Sequence, residues 1–92
     1  MNAKAKGSRN EHPSMAILEA SGYGSTRSAA SLGEWDIVGV SAGGFILCQF
    51  KMRDWPSVED MEALRGFPCP PNCRRLIHRW RDRVRLPDVR EV

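Results

Sequence analysis

The sequence has no apolar run approaching the ~18–20 residues needed to span a bilayer, which excludes a transmembrane helix. Its N-terminus also lacks the apolar segment of a secretion signal and is polar and basic instead. Both absences lead us to expect an intracellular, cytoplasmic protein that does not act on membranes. Cysteine is scarce and odd in number, with Cys48, Cys69 and Cys73 alone, so a structural disulfide framework is not expected. The spacing in Cys69-Pro-Pro-Asn-Cys73 could supply two zinc ligands, but a structural site needs four. His12 and His78 have no partner at ligand spacing. Cys48 is accordingly read as a core thiol, and the other two as members of a proline-stiffened loop.

Acidic residues are absent from positions 1–10, where Lys4, Lys6 and Arg9 stand unopposed. At the other end, residues 73–92 carry seven arginines against three acids, while the formal net charge of the chain is only +3. Basic ends around a more acidic middle fit contact with a polyanion, nucleic acid first among them. A solvated charged face is the alternative for the C-terminal arginines. Ninety-two residues suffice for one small domain, here 1–92, with 1–7 as a flexible basic arm suited to phosphate contact. A chain of this size buries only about 60–65% of its unfolded surface, so association into a dimer would help it.

The most informative stretch is 35–52, W-D-I-V-G-V-S-A-G-G-F-I-L-C-Q-F-K-M. Two runs rich in Val, Ile and Phe flank Gly43-Gly44, which reads as a β-hairpin with those glycines as its two-residue turn. That register sets Val40 opposite Leu47, Val38 opposite Gln49 and Asp36 opposite Lys51. Alternation then collects Asp36, Gln49 and Lys51 on one face, far from the turn, and sends Ile37, Ile46, Cys48 and Phe50 to the other. Such a group is either an edge-strand ion pair, worth little energy, or the centre of a metal-dependent phosphodiesterase.

Around this hairpin the pattern predicts a helix over about 8–21 stopped by Gly22, with a stripe of Ser14, Ile17, Leu18 and Ser21. Pro13 requires either a start near His12 or a kink after an earlier turn carrying Glu11. A short strand over 23–28 and a small-residue loop to Gly33 follow. Ser57 and Asp60 cap a second helix through Arg65 with Val58, Met61 and Leu64 on one face. A strand over 74–80, a turn at Arg81-Asp82-Arg83 and a return strand over 84–86 complete an α+β arrangement around one mixed sheet, α-β-β-β-α-β-β.

The order of these elements, with Lys6-Gly7-Ser8-x-x-Glu11, Gly22-Tyr23, Arg27-Ser28-Ala29-x-Ser31, Trp35-Asp36-Ile37-Val38 and Gln49-Phe50-Lys51, resembles the archaeal-type Holliday junction resolvases of the PD-(D/E)xK nuclease superfamily. The resemblance implies a restriction-endonuclease-like core that resolves four-way DNA junctions as a homodimer, using Mg²⁺ with Mn²⁺ as a substitute. It implies that Glu11 and Asp36 are metal-binding acids, that Gln49 occupies the second acidic position with the Phe50 carbonyl beside it, and that Lys51 is the catalytic lysine. It puts Ser28 and Ser31 in a mobile loop near the scissile phosphate, Ser31 with a part in catalysis. Lys4, Lys6, Arg9, Arg27 and Ser28 are the expected DNA contacts. The chain departs from the family in having Gln49 where Glu is usual and His12-Pro13 directly after Glu11. Other expectations consistent with the residues are a nuclease for flaps or duplex DNA, and a non-catalytic DNA-binding module.

Overall fold

A computed structural model of the chain describes residues 12–28 and 33–92. Its elements are α1 (Pro13–Ala20), β1 (Gly24–Arg27), β2 (Ile37–Ser41), β3 (Gly44–Met52), α2 (Val58–Gly66), β4 (Cys73–Trp80) and β5 (Asp88–Glu91). The strands form one sheet in chain order, antiparallel at every junction except β3–β4, which is parallel and bridged by α2. This is the α+β architecture with a mixed sheet that the element pattern predicts.

Each face of the sheet carries its own core. Met15 and Leu18 of α1 pack on Ile37, Ile46, Cys48 and Leu76, with Tyr23 and Phe50 closing the margin. On the opposite face Met61 and Leu64 of α2 pack with Trp35, Leu47 and Ile77. Odd and even positions of β3 therefore face different helices, as strand alternation requires. Val58, expected on the buried face of α2, is exposed.

Within the described residues the first helix starts at Pro13, where a missing N–H costs nothing, and His12 is its N-cap, Nδ1 accepting from Ser14 N at 3.1 Å. Gly22, at φ 99°, stops it. Buried Ser14 joins this helix to β4: Trp80 Nε1 donates to Ser14 Oγ at 2.9 Å, and Ser14 Oγ lies 2.8 Å from His78 Nδ1. The indole can only donate, so Ser14 Oγ accepts from Trp80, and its hydrogen bond with Nδ1 ties the buried His78 into the core. Burial, and then the nearby His12, lower its pKa.

The hairpin register differs from expectation by two residues. Ser41 pairs with Gly44, so Ala42 and Gly43 are the loop, and Val38 lies opposite Leu47 rather than Gln49. The reason lies outside the hairpin. Phe45 N donates to Asn72 O, and a Cβ on Gly44 would sit 2.1 Å from that same oxygen, so Gly44 is a glycine because the 70–72 loop presses on it. A slip of two preserves the faces, and the predicted sorting of Ile46, Cys48 and Phe50 against Leu47 and Gln49 survives. The last hairpin also departs: 84–86 belong to the connection, and the return strand begins only at Asp88. Asp88 accepts from Arg79 and forms an ion pair with Arg81, and these contacts hold the pairing beyond Pro87.

Candidate active site

β3 is longer than the strand beside it. Its ladder with β2 ends at Ile37 and Cys48, so residues 49–52 present an edge that no β2 backbone covers. Asp36 N also donates to Cys48 O, at 2.9 Å, so Asp36 and Ile37 together oppose one residue. This is the pattern of a β-bulge, and it resets the alternation. Trp35 joins the core beneath α2. The Asp36 carboxylate turns to the uncovered edge, where Oδ2 accepts from Phe50 N at 3.0 Å. Asp36 thus does not lie opposite Lys51, as strict alternation would have it.

The segment carrying the bulge is held from several sides. Ser28 N donates to Asp36 O at 2.8 Å, and Ser28 Oγ donates to Trp35 O. The hydroxyl proposed by resemblance for the DNA side is thus turned inward, onto the backbone that presents Asp36. From β3, Gln49 Nε2 donates to Glu34 O at 3.2 Å. Gln49 is buried, and its Oε1 has no hydrogen-bond partner among the described residues. An orphaned carbonyl oxygen in a buried amide carries a cost unless something binds it.

Lys51 is half-buried and, by alternation, follows Gln49 on the face of Leu47. Among the described residues it forms no ion pair, and neither does Asp36. The edge-strand ion pair that would make these two residues a solubility device is therefore not formed. Asp36 is nonetheless felt nearby: it contributes to pushing the Cys48 thiol up to about 12, behind burial, and it acts to raise the pKa of His12. In His12 burial prevails first and Arg27 second, and the net direction is down.

Two residues around the edge take on definite positions. His12 stacks on Phe50 at a centroid distance of 3.6 Å, and the Arg27 guanidinium lies over the Phe50 ring at 5.2 Å. From sequence His12 is a possible helix start before Pro13 and has no partner at zinc-ligand spacing, and neither reading places it against Phe50. The signal that could have found it was a polar residue immediately before a proline at a helix start. Glu11, Ser31, Lys4, Lys6, Arg9 and the 1–7 arm lie outside the described residues. No group of three or more His, Cys, Asp or Glu suited to a metal exists among the described residues, where the carboxylate bonded to this edge is that of Asp36. Asp36 and the Gln49 Oε1 are both hard oxygen donors, the chemistry that Mg²⁺ takes. Cys69 and Cys73 lie elsewhere, flanking the α2-side core, and burial together with Cys69 raises the Cys73 thiol to about 11.

No helix of the described residues is long and apolar enough to cross a membrane. No protein-family model matches the sequence, and no curated protein does. Among solved structures the chain is similar to Hjc, a Holliday junction resolvase from the archaeal hyperthermophile Archaeoglobus fulgidus, with a TM-score of 0.59 and 21% identity over 89% of this chain and 74% of that one. The bulged strand end, the long β3 and the parallel β3–α2–β4 crossover are therefore set in a fold that this chain shares with a Holliday junction resolvase.

Proposed function

We propose that the protein is a metal-dependent endonuclease that cleaves branched DNA, with four-way junctions as its substrate and a homodimer as its working form. The observation that carries this reading is the Asp36 carboxylate bonded to Phe50 N at the uncovered end of β3, the strand end that also carries Gln49, whose buried Oε1 has no hydrogen-bond partner among the described residues, and Lys51, which forms no ion pair among them. The resolvase fold supports it independently. In this reading Asp36, Gln49 Oε1, the Phe50 carbonyl and Glu11 hold Mg²⁺, or Mn²⁺ in its place. The ion supplies Lewis-acid polarisation of the phosphate and a lowered pKa for bound water.

The protein's own contributions follow from its chemistry. Lys51 orients the attacking water or balances the charge that develops on the phosphate, and among the described residues no carboxylate pairs with it. Ser28 and Gln49 hold the 34–36 backbone so that Asp36 keeps its aim. Arg27, stacked on Phe50, stands at the mouth of the same edge and meets the DNA backbone, together with Lys4, Lys6 and Arg9. Ser31 acts near the scissile phosphate in this reading.

The test is nicking of a synthetic four-way junction, compared with linear duplex and flap DNA, with Mg²⁺ and with chelator. Metal-dependent cleavage that prefers the junction is expected. Equal cleavage of duplex would assign a nuclease of broader substrate. Binding without cleavage would leave a DNA-binding module that lost its chemistry with the Glu-to-Gln change at position 49.

A further inference from the structure

The C-terminal arginines are not equivalent. Arg53 pairs with Asp82, Arg74 with Glu91, and Arg79 and Arg81 share Asp88. Arg90 is exposed and has no carboxylate partner among the described residues. Its guanidinium lies over the Trp55 ring, 4.2 Å from the centroid, and that of Arg79 lies 4.8 Å from the same ring. Trp55 is half-buried and packs against the core beneath α2, so the indole is anchored from below.

Stacking fixes the plane of a guanidinium and leaves its N–H edge directed outward. Arg79 uses that edge on Asp88, through two nitrogens. Arg90 does not. A flat, charged fork held on an aromatic base, without an internal acid, is pre-organised for two parallel hydrogen bonds to a phosphate. Its place in the sheet extends this argument. Lys51 lies beside Arg79 in the parallel register, and Arg90 lies opposite Ile77, two residue pairs along from Arg79. Lys51, Arg79 and Arg90 therefore share the face of Leu47 and Ile77. Two strand spacings and two residues along the strand put the Lys51 and Arg90 Cα atoms roughly 12 Å apart.

We infer that Arg90 on its Trp55 platform is a phosphate-binding site for the DNA backbone, one that extends the track from the Lys51 edge across β4 to the outer strand β5. This rests on the proposed function for the identity of the polyanion, and it adds a contact point that no residue of the proposed metal site supplies. The other arginines of this region are compensated by acids or lack an aromatic support, so Arg90 carries the site.

The experiment is equilibrium binding of a synthetic four-way junction in chelator, from low to moderate salt, so that cleavage plays no part. Arg90→Ala is expected to weaken binding about five- to tenfold at moderate salt and to reduce the slope of log affinity against log salt by about 0.9, one phosphate contact. Arg90→Lys keeps the charge and loses the stacked fork. It is expected to retain the slope while losing about threefold in affinity. Arg83→Ala removes a charge with no aromatic platform, and is expected to have the smaller effect. Circular dichroism of each variant checks that the fold is kept. Unchanged binding by Arg90→Ala overturns the inference, and so does an equal loss in Arg83→Ala, which would make general charge sufficient. The two readings fail separately. Arg90-dependent binding by a protein that never cleaves removes the nuclease and leaves this site, whereas Arg90-independent binding by an active nuclease does the reverse.

Discussion

At the scale of single residues, Gln49 is where stability and chemistry meet. Its amide nitrogen stabilises the Glu34 carbonyl while its buried oxygen has no partner among the described residues. Gln49→Glu would remove that donor and set a carboxylate against a carbonyl, so the metal-free variant should be destabilised by about 1–3 kcal/mol. A charged oxygen also binds Mg²⁺ better, so added metal should recover more of the melting temperature in the variant than in the natural protein. Thermal unfolding with and without Mg²⁺ measures both effects. A variant as stable as the natural protein in chelator, and no more responsive to Mg²⁺, would make Gln49 a bystander.

Residue chemistry also decides what could be read in advance. The sequence announces an acid, an amide and a lysine near one end of a hairpin, and the structure has them around the uncovered half of β3. The bulge could not be read, because alternation counts assume a regular strand and nothing in Trp35-Asp36-Ile37 marks the extra residue. The inward turn of the Ser28 hydroxyl onto Trp35 O depends on that bulge and was hidden with it.

At the scale of elements, the hairpin shows how a tertiary contact can look like a local signal. Gly43-Gly44 has the composition of a turn, yet Gly44 is required by the approach of Asn72. The two glycines should therefore respond differently. Gly44→Ala forces a Cβ to within 2.1 Å of a backbone oxygen and should cost about 3 kcal/mol, while Gly43→Ala, which meets only Ser41 Oγ at 4.0 Å, should be tolerated. Chemical denaturation of the pair decides the register. Equal costs would restore a Gly43-Gly44 turn. The late start of β5 has a similar origin: Val84 and Leu86 look like strand residues, but the contacts of Arg79 and Arg81 with Asp88 hold the pairing beyond Pro87.

Helix α1 makes a prediction about pH. Burial lowers the pKa of both His12, its N-cap, and His78, which bonds to its Ser14. The unfolded chain then binds protons more readily than the folded one just below pH 6.5, the ordinary histidine value. Stability is complete above that value and falls as pH drops through the lowered folded values. The melting temperature should decline from pH 7.5 to 5.5. In Ser14→Ala it should be lower throughout, because Trp80 Nε1 loses its acceptor inside the core. A pH-independent melting temperature over this range would contradict the lowered pKa of the two histidines.

At the scale of the whole molecule, the order of helices and strands was legible because periodicity, Pro13, Gly22 and the Ser57 cap are local features. The two-faced core follows from it, since α1 and α2 can bury their apolar sides only on opposite faces of one sheet. The same arrangement leaves the end of β3 open beyond β2, and chemistry at that opening is the central claim. Asp36→Asn tests it most directly. The asparagine oxygen can still accept from Phe50 N, so the bulge and the fold should be preserved, while the charged metal ligand is lost. Junction binding in chelator and junction nicking in Mg²⁺ should be measured on the same preparation. The account predicts binding equal to or tighter than that of the natural protein and no detectable nicking; near-normal nicking by Asp36→Asn would contradict it.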